Sequence, residues 1–343
     1  MANKSRRTFM ISAISALPAL VSLPLFARAL SLSSLGSNNG EALKAYGDGK
    51  RDATSVIQDL IDNQPSSGGT VVIPAGKYLI DVDKGVVLRS GIHLSLLPGV
   101  SLIAMPTRLG SSSIIKIYRA HDVSVSGGSL VGERDKHLGR TGEWGFGIDV
   151  RASSSVTLSN IIVSKCWGDG FYLGSLPVNG KNQGCSNIVM QNVTATENRR
   201  QGLSIIACNG ARIMNSKFLS TNGTSPAAGI DLEPNAGDVV ENIVIQNCDV
   251  LNNAGSGIQT WNASSSVEII NCRINHNGGR GVYLGGRADG VSIHDNHVSG
   301  NGDADIYVGK NVESLKMSAN VVTSSSLLVG LVKRGRIYYE PKK

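Results

Sequence analysis

From residue 147 onward, apolar and polar positions alternate in short runs, and the runs recur. A Gly, once an Asp, opens an apolar-x-apolar segment in GIDVR from Gly147, GFYLG from Gly170, GLSII from Gly202, GIDLE from Gly229, GIQTW from Gly257, GVYLG from Gly281 and DIYVG from Asp305. The steps between them are 23, 32, 27, 28, 24 and 24 residues. A second alternating segment follows at matching intervals, as VTLSN, IVMQN, ARIMN, IVIQN and VEIIN, closed by Asn160, Asn192, Asn215, Asn247 and Asn271. A period of two predicts strands. A unit of roughly two dozen residues repeated in register predicts a solenoid in which each repeat is one coil.

Two strand columns and an Asn at a turn in every coil point to a parallel β-helix, with coils about 4.8 Å apart. Asn side chains stacked at that spacing can bond one another in a ladder. Within the first column, Ile148, Phe171, Leu203, Ile230, Ile258, Val282 and Ile306 should face the core, with Val150, Leu173, Ile205, Leu232, Thr260, Leu284 and Val308 beside them. The intervening Asp149, Tyr172, Ser204, Asp231, Gln259, Tyr283 and Tyr307 should face out, followed two residues on by Arg151, Glu233 and Trp261. This face is chemically richer than the second column, which offers mainly Ser, Thr, Gln and Lys, so it is the candidate groove.

The N-terminal part differs. In ATSVIQDLID, Val56, Ile57, Leu60 and Ile61 mark one face of a helix that Asp52 or Thr54 could cap. GGTVVIPAGKYLI reads as two short strands around a Pro-Ala-Gly turn, and GIHLSLLPGVSLIAM repeats the theme around Pro98-Gly99. A solenoid needs its first coil covered, and this helix is the expected cap. Residues 30–343 therefore read as one domain, with the cap at about 45–80.

Composition changes the picture in two places. Ser5-Arg6-Arg7-Thr8-Phe9-Met10, an apolar run and Ala27-Arg28-Ala29 resemble a twin-arginine export signal over residues 1–29, which predicts a periplasmic or secreted protein without stable membrane insertion. The net charge of +7 falls to +3 once Lys4, Arg6, Arg7 and Arg28 leave with that segment, too weak a balance to argue for nucleic acid. The five Cys, at 166, 185, 208, 248 and 272, lack disulfide or zinc spacing and read as buried thiols. Cys248 and Cys272 lie one coil apart and should stack.

YGDGKRDATSVIQDLID with GGTVVIPAGKYLI resembles the opening of pectate-lyase-superfamily β-helix proteins. GVVLRSGIHLSLLPGVSLI and VSVSGGSLVGE resemble the next coils of polygalacturonase-type glycoside hydrolases, and the similarity spans about residues 45–320. The resemblance implies an all-β, right-handed parallel β-helix acting on polysaccharide. It matches Asp149 to an Asp of one catalytic segment and Asp169 to the first of an Asp-Asp pair whose second position is Gly170. No Gly-His-Gly or Arg-Ile-Lys occurs in the chain.

The sharpest constellation is GIDLEPN. Asp231 and Glu233 are two residues apart on one strand, so they share a face at about 6.5–7 Å, within the carboxyl separation of an inverting glycosidase. A solvated acidic strand and a calcium site are the competing readings. Asp169 and Asp149 are the next acids, the latter three coils from Asp231. Trp261, Tyr172, Tyr283 and Trp144 are candidate sugar platforms, with Gln259 beside Asp231. The excursion GERDKHLGRTGEWG offers His137 and Glu143 as groove-lining acid or base, against a merely solvated loop. Arg200 and Arg280, just before column strands, suit an acidic sugar. Hydrolysis leads; a uronate lyase or epimerase using Arg200 or a Tyr with a carboxylate-neutralising group, and a non-catalytic polysaccharide-binding or assembly protein, are the alternatives. No cofactor is expected.

Overall fold

The computed structural model describes residues 43–322 and the backbone of two further strands, Leu327–Val329 and Ile337–Glu340. The segment read as an export signal lies outside the described residues. Within them, no helix is long and apolar enough to cross a membrane.

The described chain is a parallel β-helix. One wall is a sheet of ten strands, running from Val86–Leu88 through Ser111–Tyr118, Trp144–Arg151, Phe171–Gly174, Leu203–Ile205, Ile230–Leu232, Ile258–Thr260, Val282–Leu284 and Ile306–Val308 to Leu327–Val329. The registers reproduce the repeat: Ile148 pairs with Phe171, then Leu203, Ile230, Ile258, Val282 and Ile306, all buried. A second sheet of 22 strands forms the rest of the tube. Stacking like on like lets each coil bury its aliphatic row against the next, each such side chain contributing about 1.5–3 kcal/mol.

The Gly markers have a steric cause. A Cβ on Gly229 would lie 2.8 Å from the Gly257 carbonyl oxygen, and one on Gly257 would lie 2.6 Å from that of Gly281. Successive coils approach too closely at this corner for a side chain. The turn asparagines have a conformational one. Asn160, Asn192, Asn215, Asn247 and Asn271 all adopt φ of 48–56°, a region that Asn tolerates better than most residues. Their amides bond in two stretches of the expected ladder, Asn192 donating to Asn160 at 3.2 Å, then Asn247 to Asn215 at 3.1 Å and Asn271 to Asn247 at 2.8 Å. All five cysteines are free and buried, and the Cys248 N–H points at Cys272 Sγ, 3.5 Å away.

The cap is a helix over Thr54–Asp62, burying Thr54, Ile57, Leu60 and Ile61. Neither expected residue is the N-cap, a position held by Ala53 without a side-chain cap; Asp52, one residue earlier, accepts from the Thr54 N–H at 2.9 Å, and the Thr54 hydroxyl accepts from Asp81 N. Another local expectation changes. Ile92–Ala104 is a single strand of 13 residues running through Pro98-Gly99, with a register irregularity between Leu96 and Ser101 in place of a turn.

Candidate active site

Parallel pairing of Leu203–Ile205, Ile230–Leu232 and Ile258–Thr260 sets Ser204, Asp231 and Gln259 in one row off the core. The row is not open, as the alternation alone suggested. Ser204 and Asp231 are 0% exposed and Gln259 is buried. The reason lies at the preceding corner. Gln201 donates from Nε2 to Asp231 Oδ2 at 2.6 Å while its own Oε1 accepts from Ala228 N. Beside it, Arg200 reaches across the acids. Glu233 stays 32% exposed on its side chain and is the member of the pair that meets solvent.

Arg200 organises the centre. Its guanidinium lies 3.4 Å from Asp169, 3.3 Å from Glu233 and 3.9 Å from Glu143. Burial pulls the Arg200 pKa down, but the charges of Asp169, Glu233, Glu143 and Asp231 outweigh that, and the net direction is up. The two deepest acids move the other way from ordinary carboxylates. Burial, then the charge of Glu233, pushes Asp231 up to about 8, against the pull of Gln259 and Arg200. Burial pushes Asp169 up to about 7, although Arg200 and the Ser204 hydroxyl, which donates to it at 2.8 Å, favour its anion. Asp169 Oδ1 and Asp231 Oδ1 have no hydrogen-bond partner. Four carboxyl groups thus share one cation, and burial shifts the two deepest of them toward their protonated forms. The centre of the cluster is taken by the guanidinium, and no group of three or more acids, His or Cys among the described residues is arranged to hold a metal ion.

Asp149 belongs elsewhere. Arg151 Nε donates to it at 2.8 Å, and the Ser113 and Tyr118 hydroxyls donate to its other oxygen. Tyr172 is drawn into this second cluster, stacked on Phe146 at 4.5 Å with the Arg151 guanidinium 4.6 Å from its ring. It does not join Trp261 as a free platform.

The excursion loop splits in the same way. Glu143 reaches Arg200, and Trp144 is exposed. His137 is the correction: it does not line the groove. Its side chain is 1% exposed, bonded through Nδ1 to Glu133 at 2.8 Å and stacked on Trp167 at 3.8 Å. Arg199 lies 3.8 Å from the Trp167 ring and donates to the Gly142 carbonyl, which ties the loop down just before Glu143. On the C-terminal side, Trp261, Tyr283 and Tyr307 form a row at 6.1 and 5.5 Å, with Trp261 46% exposed. Arg280 lies against both tyrosines.

Against known proteins, residues 108–242 and 236–327 match the family described as right handed beta helix region. The chain belongs to that family. Among curated proteins, the uncharacterized protein YclG of Bacillus subtilis (strain 168) is 27% identical over 243 residues, covering 63% of this chain and 42% of YclG. The chain therefore spans less than half of that curated relative. ORF18 of Geobacillus virus E2 superposes with a TM-score of 0.67 at 14% identity, over 87% of this chain and 59% of that one. The tailspike protein gp49 of Acinetobacter baumannii bacteriophage Fri1, described as a capsular polysaccharide depolymerase, gives 0.54 at 17% identity, over 85% and 59%. At such identities the likeness is one of fold.

The right-handed β-helix also places residues at the centre that the sequence reading passed over. Gln201 occupies, before Gly202, the position that Asp169 occupies before Gly170. Its signal was therefore available one coil on. Ser204 stood in the outward row but is small and gave no reason to single it out. Tyr307 stood in the same row, and its part in the aromatic series emerges only from its contact with Tyr283 and Arg280.

Proposed function

We propose that this chain is an exported, polysaccharide-active enzyme that hydrolyses glycosidic bonds at the acid cluster around Arg200. One observation carries the reading: a solvent-reaching carboxylate, Glu233, stands just past the end of the Ile230–Leu232 strand, two residues on from a carboxyl, Asp231, that burial and Glu233 itself push up to about 8. Inverting glycosidases need this asymmetry, one group holding a proton for the leaving oxygen and one ionised to activate water. Asp231 takes the first role and Glu233 the second. Asp169 serves as a further proton-holding group behind Arg200. Because Gln201 lies against Asp231, the reading requires the corner side chains to shift as a sugar enters.

The same geometry weighs against Arg200 as the base of a uronate lyase or epimerase. Such a base must lose its proton, and the surrounding carboxylates hold Arg200 further from doing so. The fold similarity to a tailspike described as a depolymerase is in keeping with a polysaccharide substrate. The leader expected at residues 1–29 would place the activity in the periplasm or beyond.

The test is to incubate the purified protein with a panel of neutral and acidic bacterial and plant polysaccharides, following reducing ends and the ultraviolet absorbance of unsaturated products together. Reducing ends without absorbance are expected, and Glu233→Gln and Asp231→Asn should each lower the rate by about 10²–10⁴-fold. Absorbance growth would replace hydrolysis by elimination. Binding without turnover would leave a polysaccharide-binding protein.

A further inference from the structure

The arginines of this wall differ in how fully their donors are engaged. Arg151 is bonded to Asp149 at 2.8 Å, Arg199 to the Gly142 and Trp167 carbonyls at 3.1 and 3.2 Å, and Arg200 to two carboxylates. Arg280 has no acceptor within hydrogen-bond distance among the described residues. Its Nε is buried and unpartnered, and its nearest acid, Asp303, is 3.9 Å away and 63% exposed. An exposed contact of that length is screened and weak. Yet the guanidinium is held in place, 4.4 Å from the ring centroids of both Tyr283 and Tyr307. Stacking of this kind orients the planar fork without using its N–H groups.

The surroundings say what such a fork would meet. Tyr283 lies two strands along the wall from Asp231, by way of Gln259, hence about 10 Å away at β-strand spacing. Between the Arg280 fork and Glu233, Trp261 leaves nearly half of its surface in water, an apolar face of the kind on which a sugar ring stacks. A ring platform, a fixed fork with free donors and an acid cluster follow one another along one side of the tube.

We propose that Arg280, clamped by Tyr283 and Tyr307, is a specificity-determining subsite for an oxyanion-bearing sugar unit, a carboxylate or a sulfate ester, in a polysaccharide chain running from the Arg200 cluster toward the C-terminal coils. The guanidinium binds the oxyanion through two parallel N–H donors, and Trp261 supports the preceding ring. This rests on the polysaccharide reading of the groove but not on hydrolysis.

The test is calorimetric titration of the Glu233→Gln protein with oligogalacturonates from dimer to hexamer, with their methyl esters, with sulfated carrageenan oligosaccharides and with neutral galactan oligosaccharides. At least one acidic series should bind, with salt-sensitive affinity, and its neutral counterpart should bind weakly. Adding Arg280→Gln should weaken the acidic ligand roughly ten- to a hundredfold, with little change for the neutral one. Arg280→Lys, which keeps the charge but not the fork, should recover only part of the loss. Near-ultraviolet circular dichroism reports whether either variant has lost the packing of its aromatic side chains. Equal affinity for acidic and neutral ligands, no binding of any acidic series, or an Arg280→Gln variant that binds as before would overturn the proposal. If wild type releases no reducing ends while Arg280-dependent binding persists, the hydrolysis reading falls and the subsite stands.

Discussion

Asp149 and Asp231 occupy equivalent positions on the same wall, three strands apart, and both are buried. Each follows its Gly marker by two residues and lies between aliphatic neighbours. Their surroundings are nonetheless opposite. Asp149 has a cation in hydrogen-bond contact and two hydroxyl donors, so its anion is compensated on both oxygens. Asp231 takes the Gln201 amide on one oxygen, has the Gln259 amide beside it, and faces a second carboxylate two residues away. The first arrangement is a structural ion pair. The second favours the protonated acid. Position in a repeat therefore does not assign a role; the corner residues that lean over each acid do.

The largest effect expected from this difference is on pH dependence. Asp169 and Asp231 are pushed from 3.8 to about 7 and about 8. Below pH about 4, folded and unfolded chains both carry these protons, and the groups contribute nothing to the balance. As pH rises further, the unfolded chain releases them while the folded one retains them, so the unfolded state binds fewer protons and stability falls until about pH 8. At about 1.4 kcal/mol per pKa unit for each group, the loss across that window should be on the order of 10 kcal/mol. Urea unfolding midpoints measured across it should decline in the wild type, and Asp231→Asn should flatten the decline. A variant whose pH slope matched wild type would mean that Asp231 is ionised in the fold and that the contrast with Asp149 is false.

How much of this was legible in the sequence follows from what each feature depends on. The coil repeat, the core row and the turn ladder depend on residue type at one position per coil, and the Gly markers and Asn160 to Asn271 announce them. The convergence of Asp231, Glu233, Asp169, Glu143 and Arg200 was half legible, since every member could be named. That a single guanidinium spans three of the acids depends on side-chain reach across coils of unequal length, including the 32-residue step that brings Arg200 beside Asp169. The burial of His137 was not legible at all. It is decided by Trp167 on the next coil and by Glu133 within the loop, neither of which a periodic pattern relates to it. The ladder of Asn253, Asn277 and Asn301, its first two members buried, escaped for a different reason. It runs along a corner between strands, where alternation gives no inside or outside.

A smaller effect should separate the two acids from the other side. Asp149→Asn leaves Arg151 without its counter-charge. Breaking a fully buried pair costs about 3–5 kcal/mol, and because Arg151 keeps a 24% exposed side chain the expected loss is about 2–3 kcal/mol. Polysaccharide turnover by the remaining folded protein should be unchanged, measured per folded molecule. A catalytic defect with little loss of stability would move Asp149 into the active centre and erase the distinction.

The smallest effect tests how Asp149 is compensated. Tyr118 donates its hydroxyl to Asp149, and burial with the nearby anion drives the phenol pKa up, which keeps the donor proton in place. A hydrogen bond to a charged acceptor contributes about 1.5–3 kcal/mol; with Ser113 and Arg151 still donating, Tyr118→Phe should cost about 1–1.5 kcal/mol. In an Asp149→Asn background the same substitution should cost distinctly less, because an amide oxygen rewards the donor less than a carboxylate does. The difference between the two losses is the coupling of Tyr118 to the charge itself. If that difference is zero, the hydroxyl supports packing only, and Asp149 depends on Arg151 alone. It would then resemble Asp231 more closely, separated from it by one arginine in place of a whole built environment.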